Sequence, residues 1–457
     1  MMKQVGWVAM HGQATAERAE GSCNPWREPS GRKRCSAGRY ALRKSARRRK
    51  HRSFTPMRNT SRAIALARAG LSAAGSPLEI EVQERVGAFS GALWDAVAAE
   101  GSIFLSHGYL LALEEAMGDA MGFRYVLFRE ASRGPVGVAV LQLAAFEDNG
   151  GQQIEQACRL GLVKARVRRE LKLGALVCGN VFHCGEHGAH FTSGVPRAEQ
   201  LEALDRATSQ VMGEPGVRSR AAMRVFKELW PGDAEAMQVL EARGYHPLAT
   251  DVNMVLAVDP RWKGLEDYQH ALTAKARTRL RSILQRSSAL EVNALDAEAI
   301  VSHGARLQEL LDAVLAQSPY IFGRLKVAAY ARWKEHFGED MVLHGYALDG
   351  EIVGFSAAFV NGDCLDAQFV GIDYAHNRQH AIYLRMLVDL LELAIARGLR
   401  RVNYGRTSEQ AKSALGAVPV AMGVHVKLRG KVANRLAGPF IRTVKPAAFE
   451  QRLPFRR

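Results

Sequence analysis

Residues 404–416 read YGRTSEQAKSALG, in which a tyrosine, an arginine, a threonine and a lysine are spaced around two glycines. These are residue types that bind anions and move protons. Arg406 and Lys412 can pair with a phosphate or carboxylate, Tyr404 and Thr407 can donate or accept a hydrogen bond, and Gly405 lets backbone approach a ligand closely. Lys412 is read as the anion contact, although its position also suits an exposed cation on the short helix EQAKSALG. Tyr404 suits a general acid or a packed, hydrogen-bonded phenol. Asp366, on a nearby strand, could be a base or a polar anchor if it faces the same cleft. A second polar group flanks the start of the next helix, where unpaired N–H groups attract anions. It comprises Gly371, Asn377, Arg378 and His380. A third group, Cys178, His183, Cys184 and His187, has the spacing C-x4-H-C-x2-H, which matches no standard zinc pattern, so no metal is expected. The sequence holds no G-x-S-x-G elbow, Walker loop or H-E-x-x-H motif.

Two similar runs of elements must position these residues. In the first, helical spacing over 86–101 and 109–118 precedes strands at 123–130 and 135–146. A helix at 197–212, a strand at 221–229, a helix at 234–245 and a closing strand at 247–258 follow. In the second, helices at 299–318 and 326–338 precede three β-type runs separated by Asp349-Gly350 and Asn361-Gly362-Asp363. Asp-Gly and Asn-Gly between such runs signal hairpins, so 341–372 reads as an antiparallel meander. A helix over 380–397, ended by Gly398, and a strand at 399–405 then make a βαβ crossover with parallel flanking strands. The fold class is therefore α/β with mixed sheets: two tandem modules, each an antiparallel meander plus one parallel βαβ unit. A basic helix lies between them at 267–288.

Charge is unevenly spread over the 457 residues. The net formal charge is +16, yet residues 1–62 carry 16 Lys and Arg against 3 Asp and Glu, leaving 46 basic against 43 acidic residues in the remainder. The 1–62 segment reads as a disordered basic tail. It fits an over-extended start preceding Met57, a nucleic-acid or acidic-membrane arm, or an organellar transit peptide. No apolar run reaches the roughly 18–20 residues of a membrane span, so no membrane insertion is expected. Six cysteines without a CxxC or an evident secretory signal point to reduced thiols and a cytoplasmic setting.

A meander followed by one parallel βαβ unit resembles the GNAT acyltransferase fold, and two in tandem resemble its FemAB-like branch. The resemblance rests on KARTRLRS (275–282), GEIVGFSAAFVNGD (350–363), YGRTSEQAKSALGA (404–417) and the glycine-rich VCGNVFHCGEHG (177–188). It implies domains at 85–258 and 289–453, joined by a basic linker at 262–288. It also implies transfer of an acyl or aminoacyl group to an amine of a small molecule or cell-wall precursor, from acyl-CoA or aminoacyl-tRNA as co-substrate, with no tightly bound cofactor. Tyr404 and Asp366 are then the catalytic candidates. Gly371, Asn377, Arg378, His380, Gly405, Arg406, Thr407 and Lys412 are the binding candidates. CoA-binding relatives carry a glycine loop before the crossover helix; here DYAHNRQHA (373–381) has none, which leaves the donor open. A second reading is a degenerate pair binding RNA or a charged ligand, against which the near-neutral body argues.

Overall fold

The computed structural model describes residues 77–148, 174–231, 234–318, 320–446 and 448–456, and the basic 1–62 segment lies outside them. The first half opens with β1 (Glu79–Gln83), β2 (Gly122–Glu130) and β3 (Gly134–Asp148), paired antiparallel in chain order. The β2–β3 turn ends at Gly134, whose φ of 77° suits a residue without Cβ. β4 (Gly174–Cys178) continues the meander, and β5 (Ala189–Phe191) adds to β3. The helix Arg197–Gly213 then leads to β6 (Ala221–Leu229), which lies parallel to β4. The run expected as a single closing strand over 247–258 is two strands, β7 (His246–Leu248) and β8 (Asn253–Ala257). Thr250-Asp251 interrupts it, and Asp is among the poorest strand formers.

The second half supplies β9 (Glu291–Ala294), β10 (Tyr320–Phe322), β11 (Met341–Leu348), β12 (Glu351–Asn361) and β13 (Cys364–Ile372). β11, β12 and β13 form the expected meander, with Asp349 and Gly350 both at positive φ in the first hairpin. The crossover helix Ile382–Ala396 returns the chain to β14 (Arg401–Asn403), parallel to β13. β15 (Val418–Val420) and β16 (Gly423–Leu428) complete the strands. The fold is thus a mixed α/β fold with two sheets, each combining an antiparallel meander with one parallel βαβ unit.

The halves exchange strands. β8 leaves the first half to pair antiparallel with both β14 and β15 in the second sheet. β16 returns from the end of the chain to lie between β6 and β7 in the first sheet. β10 also crosses, pairing with the far end of β3. One continuous core cluster takes residues from both halves, including Trp94, Tyr125, Leu310, Trp333 and Phe355. Within it Trp333 lies flat on Tyr109, with ring centroids 4.7 Å apart, and its indole N–H donates to the Tyr109 carbonyl. The basic helix Ala274–Arg286 is amphipathic, burying Leu280 and Ile283 and exposing Arg281 and Arg286, while Arg277 and Arg279 are half-buried.

Strand exchange makes the two sheets one cooperative unit. Leu256, fully buried in β8, should therefore loosen both sheets when replaced. Leu256→Ala is expected to cost about 2–5 kcal/mol in urea unfolding. It should also speed amide exchange in β2 and β12 together; faster exchange confined to one sheet would contradict the coupling.

Candidate functional site

Parallel pairing of β13 and β14 runs from Cys364↔Arg401 to Asp366↔Asn403 and then stops. Beyond that point a cavity opens, walled by Ala367–Val370 on one side and by Tyr404–Thr407 with Lys412 on the other. Its third wall is Phe182, His183 and Cys184, from the glycine-rich loop of the first half. The site is therefore composite, and hydrogen bonds hold the loop to the strand end. Asn403 Nδ2 donates to the Cys184 carbonyl at 3.0 Å. A Cβ on Gly405 would lie 3.3 Å from Cys184 Sγ, so glycine is what lets these two segments pack closely.

The segment after β14 is bent sharply. Gly405, Thr407 and Ser408 all have positive φ, unusual for the two residues that carry a Cβ. Buried charges hold it. Arg406 Nη1 lies 2.8 Å from Glu228 Oε1, with both side chains essentially inaccessible. Glu228 Oε2 also accepts from Lys227 Nζ at 2.7 Å and from the Gly185 N–H at 2.7 Å. Lys227 Nζ bonds in turn to the His183 carbonyl. Glu228 itself has φ +57°, a second strained residue joined to the first strained segment by this ion pair. Burial works against the Glu228 carboxylate, but Arg406, Lys227 and the Gly185 amide outweigh it and hold the carboxyl below its ordinary value. Lys227 and Glu228 end β6, the strand equivalent to β14 in the other half, so the ends of the two parallel strands meet.

Lys412 is buried rather than an exposed cation. Its Nζ, at the cavity wall, donates to the carbonyls of Gly405 and Arg406, at 3.2 and 2.6 Å, and so ties the bent segment together. Burial lowers its pKa to about 8; the Arg406 charge adds to this, while Cys184 and Glu409 oppose it. Tyr404 is also buried, with its hydroxyl donating to the Leu387 carbonyl at 2.8 Å. Burial keeps that phenol protonated far above its usual range. Besides Glu228, the Arg406 guanidinium faces the Cys184 side chain, and Thr407 lines the cavity beside it.

The other expected residues lie elsewhere. Asp366 accepts from Asn361 Nδ2 at 2.8 Å and Asn403 Nδ2 at 2.7 Å, and lines a separate depression with Cys364 and His187. A Cβ on Gly371 would meet the Phe355 ring at 2.2 Å, so this glycine makes room for core packing. The 373–381 stretch, expected as a loop, is the helix Tyr374–His380, capped by Asp373 and ended by Ala381 in left-handed geometry. Asn377 Oδ1 accepts the Tyr383 N–H at the start of the crossover helix and so occupies a donor expected to face a ligand. Arg378 is exposed on that short helix, and neither it nor His380 lines the cavity. Among the described residues no group of three His, Cys, Asp or Glu side chains could hold a metal.

Three residues went unnoticed in the sequence. Lys227 and Glu228 read as part of an ordinary strand, and their one signal is an adjacent opposite-charge pair closing an apolar run. Gln368 reaches His183, with its Nε2 2.9 Å from the imidazole Nε2, while the Tyr109 hydroxyl lies 2.9 Å from the same ring atom. Burial, with the His187 and Lys227 charges adding, keeps His183 neutral well below its usual range.

Residues 274–413 match the family model described as an acetyltransferase (GNAT) domain. No curated protein matches the chain. Among solved structures, FemX is 12% identical with a TM-score of 0.47, the match covering 78% of this chain and 100% of that one. L-PGS from Bacillus licheniformis is 13% identical with a TM-score of 0.45, covering 77% and 97%. A tandem GNAT protein from the clavulanic acid biosynthesis pathway is 14% identical with a TM-score of 0.43, covering 77% and 99%.

Two predictions follow from the buried charges. Glu228→Gln leaves Arg406 and Lys227 buried without a counter-charge, and should cost about 3–5 kcal/mol in urea unfolding. A loss under 1 kcal/mol would mean that water compensates the cations. Lys412, at about 8 when folded and 10.5 when exposed, binds fewer protons folded than unfolded between those values, so its contribution rises with pH there. Wild type should gain about 3 kcal/mol relative to Lys412→Met between pH 8 and pH 10.5. A difference that does not change with pH would assign Lys412 an ordinary pKa.

Proposed function

We propose that the protein is an N-acyltransferase whose reaction takes place in the cavity between β13 and β14. The observation that carries this reading is the loss of pairing beyond Asp366↔Asn403, within the segment that matches the GNAT model. Splayed parallel strands leave backbone amides free to hold an extended donor and to stabilise the oxyanion of an attacked carbonyl. The acceptor is an amine of a small molecule or cell-wall precursor, and the donor is an acyl-CoA or an aminoacyl-tRNA, acting in the cytoplasm. The amine nitrogen attacks the acyl carbon and a C–N bond forms. The proton leaves nitrogen for Lys412, which lines the cavity and, with a pKa lowered by burial to about 8, accepts it in its neutral form. The carbon–sulfur or carbon–oxygen bond to the donor then breaks, and the proton passes to the leaving group. The Arg406 charge at the cavity wall favours an anionic portion of donor or acceptor. Tyr404 serves as a wall, because its hydroxyl is committed to Leu387.

Acyl-CoAs and charged tRNA should be tested against the full chain by thermal shift, because a ligand at a hundred times its Kd adds about 2.7 kcal/mol. Stabilisation by one class identifies the donor. With that donor, Lys412→Met should lower kcat about 100-fold or more and abolish a rate inflection near pH 8. Unchanged turnover would remove Lys412 from the chemistry, and stabilisation by neither donor class would count against acyl transfer itself.

A further inference from the structure

The surface of the first sheet carries a feature that the proposed chemistry does not use. The helix Lys431–Ile441 follows β16 and packs on β16 and β7. It is seated firmly. Asn434 Nδ2 donates to the Gly244 carbonyl, Asn434 Oδ1 accepts the Leu428 N–H, and His246 Nε2 lies 2.9 Å from the Asn434 carbonyl. A Cβ on Gly438 would meet the His246 ring at 2.6 Å, so the glycine allows the helix to approach closely, and Ile441 is buried beside it. With that face committed, the opposite face is left in water. It presents Val432, Leu436 and Phe440, spaced by four residues along one stripe, at 74%, 66% and 54% exposure. Placing three large apolar side chains in water on a well-seated helix forgoes burial that most helices achieve.

The charge around the stripe is of one sign. Lys431, Arg435 and Arg442 are exposed and lie along one edge of the apolar row, and Lys445 follows. No Asp or Glu occurs between Glu409 and Glu450. An apolar stripe edged by cations on a helix lying along the surface is the pattern of a helix that rests in a membrane interface. The row projects outward into water, which suits a planar surface. The cations suit anionic headgroups, each worth about 1 kcal/mol near such a surface. We propose that the helix Lys431–Ile441 docks the protein on an anionic lipid surface, with Val432, Leu436 and Phe440 entering the headgroup layer. No helix among the described residues is long and apolar enough to cross a membrane, so the contact is peripheral and reversible.

The test is peptide-resolved amide exchange of the full chain with vesicles of phosphatidylglycerol and phosphatidylcholine in equal parts. Because the readout is local, attraction of the basic 1–62 segment to lipid does not affect it. Exchange over 431–442 is expected to slow about tenfold or more with these vesicles but not with phosphatidylcholine alone. The double variant Leu436→Glu/Phe440→Glu should lose that protection while keeping the wild-type melting temperature. Unchanged exchange over 431–442 with vesicles would overturn the proposal, as would equal protection by phosphatidylcholine alone. Protection without lipid that disappears on dilution would also overturn it, by assigning the stripe to a second copy of the chain.

Discussion

The bent segment after β14 depends on a carboxylate buried in the other half of the chain. Glu228 stands between Arg406 and Lys227, paired with both. The desolvation of these charges is expensive, and their mutual attraction offsets it only while all three are present. The arrangement therefore specifies geometry more than it adds stability. Arg406 is drawn inward, the backbone on either side of it takes left-handed geometry at Gly405, Thr407 and Ser408, and Lys412 closes over the resulting carbonyls. The open end of the β13–β14 pair is shaped by that sequence of contacts. A residue outside the matched GNAT segment thus governs the form of the cavity inside it.

The same dependence explains why the first half is more than a scaffold. Its glycine-rich loop supplies a cavity wall, and the Gly185 amide joins the charge cluster directly. Gly188 is held so close that an added Cβ would lie 2.6 Å from the Gly179 backbone, which keeps the loop compact. His183, stacked on Phe104 with centroids 3.6 Å apart and kept neutral by burial, is a structural partner of Tyr109 and Gln368 rather than a free base. Two halves that share an element order contribute different chemistry. The first gives the counter-charge and a wall, and the second gives the splayed strands.

Much of the fold was legible in the sequence because its signals are local. Asp349-Gly350 and Asn361-Gly362-Asp363 mark hairpins whatever surrounds them, and the run from Ile382 to Gly398 shows its helical period directly. Strand partners were not legible. The alternation in NMVLA identifies a strand, but nothing in those five residues says that its neighbour is β14 and not β6. The polar strand end from Tyr404 to Lys412 drew attention through residue type alone. Its function in the fold depended on Lys227 and Glu228, nearly 180 residues earlier, which no spacing rule connects to Arg406. The stretch at 373–381 shows the converse. Lacking glycine, it was expected as a departure from a phosphate loop, and the same absence lets Tyr374–His380 coil into a helix whose Asn377 caps the next one.

The placement of β16 also bears on how the molecule is made. This strand lies between β6 and β7, yet it begins 175 residues after the end of β7 and 194 after the end of β6. Until it emerges, β6 presents an unpaired edge, the kind of template that recruits other chains. The first half must therefore wait, partly open, for most of the second to be translated. Its native contacts are strongly non-local, which favours slow folding and exposure to aggregation at that stage. A nascent chain of this protein is a natural client for a holding chaperone until its last strand arrives.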